Sequence, residues 1–389
     1  MHPPIPRHAG LDWLRIAAFG LLILYHIGLY FGPWGWHIDA PHPATWLVYP
    51  LLALNPWRMI LLFLVSGYAS RAVLARGSPA TFLHSRAVRL LLPLAFAVLV
   101  VVPPQPWVER VNGGTYHHGL LHYWLHDYLD PADRSTPALD HLWFVAYIAA
   151  YSLVTAVLAW VLPHRWQDAL QEAFVRWMRG GRMLLIPVAW VLFVRLVLFP
   201  GEMPTNHLLR DTNGHLIYYA AFLFGFAWAR APDLRAHIPS LGRWAGVLVL
   251  IGYATIVGPR LILPAEPAPM SVPYLIERLG VAVTSWSMIV LLLGLAERIR
   301  DTRSRWRARL NEAVFPCYIA HQTAIILIAW WIRPYQLSNF TQFILILSGT
   351  CAICWAFYMI GRACGPFRPL FGLAPPPRKM FWADAKNQA

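Results

Sequence analysis

Long apolar runs recur along the whole chain and alternate with short polar segments. Each run is close to the about 20 residues that a helix needs to cross roughly 30 Å of hydrocarbon. The pattern predicts an all-α integral membrane protein, a bundle of about ten transmembrane helices. Since no internal repeat or low-complexity tract accompanies it, we expect a single membrane domain over residues 1–389. The predicted spans are 11–32, 46–70, 88–104, 141–162, 183–200, 214–230, 244–264, 275–296, 313–332 and 340–361.

The first apolar run, from Leu11 to Phe31, is interpreted as a retained helix and not as a signal peptide. It is too long for the apolar core of a signal, it contains Arg15, and no small-residue cleavage site follows it. Composition agrees with a membrane protein, because 58% of the residues are hydrophobic and only 13% are charged. Soluble domains carry about 25% charged residues.

The net charge of +14 raises the question of a nucleic-acid partner. Most of the 32 Lys and Arg, however, lie in short segments on one side of the predicted bundle, while Arg15, Arg58 and Arg195 fall within spans. This asymmetry follows the positive-inside rule and predicts that both termini are cytoplasmic. We therefore expect a lipid bilayer, and no nucleic acid, as the partner.

The four cysteines indicate neither a disulfide framework nor an open metal site, because they lie in or just after apolar runs. Cys351 and Cys354 form a CxxC pattern that we attribute to chance. We expect no metal and no permanently bound cofactor.

Ionisable residues in the first predicted helix are candidates for function, because a charge at a bilayer centre costs about 2.5–3.5 kcal/mol on insertion scales. Arg15 and His26 are eleven residues apart, which is three helical turns plus about 20°, so they share a face. Asp12 lies on that face as well and can pair with Arg15. The alternative is an arginine that only sets topology and a histidine that is hydrogen-bonded within the bundle.

Arg86 and Arg89 lie one turn apart in the second inner loop, where the third predicted helix begins. Guanidinium groups bind phosphates through paired N–H donors, so a phosphate-bearing ligand is one interpretation. The other is that the pair only flanks a span on its positive side.

Further polar residues lie within or at the ends of predicted spans. His141 and Trp143 open the fourth span on the outer side, and His321 lies in the ninth. His37 stands at the predicted outer mouth, where it could bind acceptor hydroxyl groups or simply belong to the aromatic interface belt. Each of the others is alternatively a hydrogen-bonded bundle residue without a role in chemistry.

Two patterns in the long outer segment 103–140 carry less weight. His118, His122 and His126 recur every four residues, which would suit a metal or an interfacial helix, and His122 with Asp127 forms an HxxxxD pattern. No GxSxG, P-loop or HExxH pattern occurs. A serine hydrolase, an ATPase and a zinc protease therefore lose their main support.

Several of these motifs together resemble the membrane-bound acyltransferase family 3, and the resemblance covers nearly the full length. The matching segments are Arg15 with His26, Phe63-Leu-Val-Ser66-Gly67-Tyr68, Arg86-x-x-Arg89 running into Pro93, Leu11-Asp12, Trp36-His37, Arg58-Met59, His141-Leu-Trp143-Phe and the run from Asn311 to His321.

The resemblance implies a multi-pass protein of a bacterial inner membrane that uses acyl-CoA as its cytoplasmic donor substrate. It implies O-acylation, with a succinyl or acetyl group, of an extracytoplasmic glucan or other glycan. By position, His26 is the catalytic histidine with Arg15 as its partner, and Arg86 and Arg89 bind the donor. The acceptor-binding or supporting residues are then Asp12, His37, Arg58, His141, Trp143 and His321.

One feature departs from the family. Many members carry an acidic residue after a Trp-Ser-Leu stretch, where this chain has His141-Leu-Trp143 and no acid. The role of this acid is then either vacant or filled by Glu277 or Asp140.

The expected chemistry is direct transfer, with His26 as general base on the acceptor hydroxyl. The alternative from another class is a transporter of a glycan or lipid-linked sugar, because polar stripes in bundles also line transport paths. Transporters often contain inverted repeats, and none is seen in the sequence.

Overall fold

The computed structural model describes residues 8–130, 133, 135–263, 267–302 and 304–376, and every regular element within them is helical. Three short π-helical segments, Ala87–Leu91, Tyr123–Asp127 and Val194–Leu198, directly follow α3, α6 and α9. The helices are α1 Ala9–Phe31, α2 Val48–Leu74, α3 Pro79–Arg86, α4 Leu92–Val100, α5 Pro104–Asn112, α6 Leu120–His122, α7 Trp143–Val161, α8 His164–Trp177, α9 Arg182–Phe193, α10 Thr212–Trp228, α11 Pro232–Ile262, α12 Val272–Arg298, α13 Arg305–Ile332 and α14 Asn339–Ala363.

Eight helical runs of the described chain are long and apolar enough to cross a membrane, which supports the predicted helical membrane bundle. The largest difference in boundaries is at the third span, where the helical run is Pro79–Asn112 and not 88–104. The run consists of consecutive helical segments, and Pro93 and Pro104 lie in the first turns of α4 and α5. Neither proline therefore ends the run. A proline there lacks only an N–H that would have no intrahelical partner.

The other two predicted spans take a different form. Segment 183–200 corresponds to Arg182–Leu198, which is bent by 104° from α8, and the bent pair counts as a ninth span if it crosses as one. Segment 214–230 corresponds to α10, whose 17 residues are at the lower limit for a crossing. The total of ten spans therefore stays a prediction, as does the cytoplasmic position of the termini.

The described chain divides into two compact units. The first unit comprises residues 8–25, 46–83 and 150–308, and the second unit comprises 26–45, 84–149 and 309–376, with the gaps named above. The single membrane domain over residues 1–389 stays a prediction.

Helices α2 and α10 of the first unit approach each other at glycines. A Cβ atom on Gly67 would lie 1.9 Å from the carbonyl oxygen of Phe222, and one on Gly225 would lie 1.8 Å from that of Leu64. Both distances are far shorter than a van der Waals contact, so only glycine allows the two backbones to come this close. Small residues at interfaces are a common device for packing helices within membranes.

The second unit buries polar side chains among its helices. His321 and Gln105 are 0% exposed, Gln322 is 3% exposed and His141 is 7% exposed. Buried polar groups are nearly always hydrogen-bonded, so such a cluster has a defined geometry. Any member left without a partner would cost free energy of folding. This cluster is the candidate functional site.

Candidate functional site

Three histidines from distant parts of the sequence meet in the second unit. His26 lies near the end of α1, His141 lies in the single turn before α7, and His321 lies within α13. The ring centroids of His26 and His321 are 5.1 Å apart, and those of His321 and His141 are 5.0 Å apart. The structure therefore brings together three residues that the sequence had singled out separately.

A hydrogen bond fixes the tautomer of His321. Its Nδ1 lies 2.6 Å from the carbonyl oxygen of Tyr318, one turn earlier in α13. Because a carbonyl oxygen only accepts hydrogen bonds, Nδ1 carries the proton, and Nε2 is the basic nitrogen of the neutral ring. The ring is thus held in an orientation that defines which of its nitrogens can take up a proton.

His141 is engaged through both ring nitrogens. Its Nε2 lies 3.2 Å from the carbonyl oxygen of Tyr318 and 3.1 Å from that of Ile319, so Nε2 is the donor. Its Nδ1 faces the Gln105 amide nitrogen at 3.4 Å, and the Tyr318 hydroxyl donates to the main-chain carbonyl of His141. These bonds identify His141 as a residue that holds its neighbours in position.

Two glutamines connect this cluster to His37. The Gln105 amide nitrogen donates to the hydroxyl of Thr323 at 2.7 Å, and the Gln322 amide nitrogen donates to Gln105 Oε1 at 2.9 Å. The Gln322 amide also lies 3.1 Å from His37 Nε2. The sequence interpretation missed both glutamines, and the only signal for Gln322 was its place beside His321 in an apolar run.

His37 is held between an amide and two carboxylates. Its Nδ1 lies 2.7 Å from Glu109 Oε2, and its Nε2 lies 4.0 Å from Asp140 Oδ1. Because the Gln322 amide donates to Nε2, the proton of the neutral ring belongs on Nδ1, where it is donated to Glu109. His37 is therefore an ordered part of the site and not only an interface residue.

Aromatic rings flank these groups. The ring centroid of Trp36 lies 6.0 Å from that of His26 and 5.3 Å from that of His37. Trp143 packs edge-on against Tyr147 one turn further along α7, at 5.0 Å. Apolar aromatic surfaces with a few placed polar groups are the usual lining of a ligand site.

Arg86 and Arg89 lie where the helix geometry changes. Arg86 is the last residue of α3, and Arg89 lies in the π-helical segment Ala87–Leu91. Such π-helical turns are frequent at functional sites. Glu312 lies within electrostatic range of Arg89 and forms a 3.0 Å ion pair with Arg368, so acidic and basic groups are interleaved here. Arg368 was not predicted from the sequence.

Three of the predicted residues belong to the first unit. Asp12 forms an ion pair with Arg307, at 3.7 Å, and its predicted pairing with Arg15 stays a prediction. The Arg58 guanidinium lies 3.4 Å above the ring of Tyr25 and is buried. This cation–π contact gives Arg58 a packing role within its own unit.

The two candidate acids lie in different units. Glu277 is buried in the first unit and pairs with Arg260 at 2.8 Å. Asp140 belongs to the second unit, beside His37, and its backbone has a φ of 42°, in the left-handed region that residues other than glycine adopt uncommonly. Of the two candidate acids, Asp140 is therefore the one that shares a unit with the three histidines.

The outer segment that contains the HxxxxD pattern forms a separate cluster. His122 Nδ1 lies 3.2 Å from Asp127 Oδ2, and the Tyr116 hydroxyl donates to the same carboxylate. The bond from Tyr116 holds the pKa of Asp127 below its usual range. The rings of His118 and His122 stack at 4.5 Å, and those of His122 and His126 are tilted at 4.9 Å. Among the described residues, no group of three or more His, Cys, Asp or Glu could hold a metal ion.

Comparison with known proteins identifies the family of the chain. The acyltransferase domain family matches residues 8–359. The chain is also 23% identical to glucans biosynthesis protein C of Salmonella paratyphi B, over 385 residues that cover 96% of each protein, and equally similar to the proteins of that name from Salmonella enteritidis and Salmonella heidelberg. No solved structure matches the chain. Because the family match covers most of the chain, including all of the clustered histidines, the chain belongs to this family and is a multi-pass membrane acyltransferase.

Proposed function

We propose that the protein resides in a bacterial inner membrane and transfers an acyl group from cytoplasmic acyl-CoA to a hydroxyl of an extracytoplasmic glucan or other glycan. The observation that carries this proposal is the packing of His26 against His321 inside a buried, hydrogen-bonded cluster. The family match supports acyl transfer, and the name of the Salmonella relatives supports a glucan as the acceptor.

The proposed reaction is a direct transfer. The acceptor hydroxyl attacks the thioester carbonyl while His26 removes its proton, the C–S bond breaks, and the CoA thiolate leaves and is protonated. A histidine suits the role of base, because its ordinary pKa is near working pH. His321 and His141 are positioning residues in this scheme, since each is anchored by main-chain carbonyls of α13.

The donor is proposed to enter at Arg86 and Arg89, which share the second unit with His26. Their guanidinium groups would bind the phosphates of CoA. The helical rise of α1 separates Arg15, the expected partner of His26, from that histidine by roughly 16 Å along the axis. Arg15 therefore does not act by direct contact with the His26 ring.

The test is turnover by purified protein in proteoliposomes, followed as CoA thiol release, with His26→Gln as the main variant. Gln keeps a hydrogen-bonding side chain but cannot take a proton at neutral pH. We expect turnover to fall by about 10²–10⁴-fold, the usual contribution of a general base, with acyl-CoA binding retained. The matched control is His126→Gln, which changes a histidine of the outer segment and should leave turnover intact.

Near-normal turnover of His26→Gln would overturn the catalytic assignment. In the same assay, Arg86→Ala and Arg89→Ala should raise the KM for acyl-CoA more than the KM for the acceptor. Mass spectrometry of periplasmic and surface glycans from cells with and without the protein should show which succinyl or acetyl group is lost. A change in the amount of exported glycan with its acylation intact would favour a transporter instead.

A further inference from the structure

The first unit contains a groove that the acyl-transfer scheme does not use. It has a volume of about 440 Å³ and lies between α8 and the ends of α2, α7 and α10. Its walls are mostly apolar and include Leu158, Leu170, Phe174 and Phe226, while Arg71 and Arg230 stand on the lining. A volume in this range, of about 300–1,000 Å³, is typical of small-molecule pockets. We call it the α8 groove.

The wall formed by α8 has the character of an interfacial helix. Basic residues stand at its ends, and its exposed face carries Trp166, Leu170 and Trp177, each more than half exposed. The chain then bends by 104° into the apolar Arg182–Leu198. An amphipathic helix with aromatic residues, followed by a sharp turn into an apolar helix, is suited to lie at a membrane surface.

The two arginines give the α8 groove a charged end. Arg71 lies in the last turn of α2, its guanidinium stands 5.0 Å above the ring of Phe226, and its buried Nε has no hydrogen-bond partner among the described residues. Arg230 makes a loose ion pair with Asp168, at 3.4 Å. Two cations against one half-exposed carboxylate leave a net positive charge next to an apolar cavity.

We propose that the α8 groove binds an anionic phospholipid, with the lipid phosphate at Arg71 and Arg230 and one acyl chain against Phe174 and Phe226. Charge complementarity favours this occupant, because clustered cations beside an interfacial helix attract anionic lipid headgroups. The apolar walls favour it over a free phosphate or a nucleotide. The Gln171 amide, which donates to the Ala227 carbonyl at 3.0 Å, stiffens the wall between the two ends.

The experiment is a lipid titration of the full-length protein, purified in neutral detergent and followed by native mass spectrometry. Phosphatidylglycerol and phosphatidylcholine with identical chains are compared, so only the headgroup differs. Both lipids carry the phosphate, but the choline cation of phosphatidylcholine offsets its charge. We therefore expect phosphatidylglycerol to bind beside the two arginines at least about tenfold more tightly. Arg71→Gln and Arg230→Gln should each lower this preference about tenfold, and Arg71→Lys should recover part of it.

Two controls make the result decisive. Arg243→Gln removes an exposed arginine of the same unit that does not line the groove and should keep the lipid preference. Ala220→Phe fills the apolar part and should weaken both lipids alike. Size-exclusion elution and melting temperature show whether each variant is folded. Equal binding of the two lipids by the unmodified protein, equal loss in Arg243→Gln, or displacement of phosphatidylglycerol by acyl-CoA would each overturn the proposal.

Discussion

In the first unit the closest approach of α2 and α10 is between backbones, at Gly67 and Gly225. In the second unit the buried contacts around His321 are hydrogen bonds between imidazole rings, amides and main-chain carbonyls. The close approach of two backbones leaves no room for an added side-chain atom. It does not depend on the protonation state of any group. In a buried polar network, every member must keep its hydrogen-bond donor or acceptor.

The difference separates two kinds of importance. A residue of the α2–α10 interface matters for whether a folded protein exists, whereas a residue of the histidine cluster matters for what that protein does. Substitutions in the two units should therefore give different ratios of lost stability to lost turnover.

Gly225→Ala should have the largest effect on stability. Its new Cβ would lie 1.8 Å from the Leu64 carbonyl oxygen, so α2 and α10 must separate. We expect the free energy of unfolding to fall by more than about 3 kcal/mol, with activity per folded molecule unchanged. Gly246→Ala in α11 is the matched control, because nothing lies within 4 Å of its Cβ. Thermal unfolding monitored by size-exclusion fluorescence measures both, and equal melting temperatures would contradict the packing argument.

His321→Gln should show the opposite pattern. The amide can keep the bond to the Tyr318 carbonyl, so the fold should persist, but it presents no basic nitrogen towards His26. We expect turnover to fall about 100-fold and the free energy of unfolding to change by less than about 1 kcal/mol. Turnover per folded molecule and its pH profile measure the effect. A parallel loss of folded protein and activity would mean that His321 is only structural.

Much of the fold could be predicted from one sequence because crossing a bilayer demands long apolar runs. Eight of the ten predicted spans correspond to helical runs of the described chain that are long and apolar enough to cross a membrane. The hydrophobic pattern does not predict where a helix bends or continues past a proline. The bend between α8 and α9, and the continuation of the third helical run through Pro93, depend on local turns and packing.

The sequence predicted the residues of the candidate site better than the contacts between them. His26, His141 and His321 were visible because imidazoles are conspicuous in apolar runs. The contacts between these histidines could not be predicted, because the three lie far apart along the chain. Sequence spacing gives no information on contacts between such distant residues. Gln105 and Gln322 were missed because an uncharged amide in an apolar run is a weak signal of function. The hydrogen bond between them joins residues 217 positions apart.

Asp140→Asn and Glu277→Gln compare the two candidate acids directly. Asp140 stands beside His37 in the second unit, so its neutralisation should lower turnover about tenfold with little loss of stability. Glu277 is buried against Arg260 in the first unit, and its replacement should lower the free energy of unfolding by about 1–3 kcal/mol with turnover per folded molecule intact. Turnover and melting of the two variants decide between them. The reverse outcome would move the missing acid to Glu277.

The smallest effect is expected in the outer segment, where His122→Gln and Asp127→Asn should each change turnover by less than about twofold. If the HxxxxD pattern performed general-base catalysis, either change would lower turnover by about 10²-fold or more.

The bond from Tyr116 lowers the pKa of Asp127 from its usual 3.8, so the carboxylate is ionised at neutral pH. Its contribution to the order of this segment is complete above that usual value and is lost as the pH falls through the lowered pKa. Asp127→Asn should therefore increase hydrogen exchange at residues 116–128 at pH 7 while leaving turnover unchanged. A loss of turnover in either variant, with His26→Gln still active, would transfer the catalytic role to the outer segment.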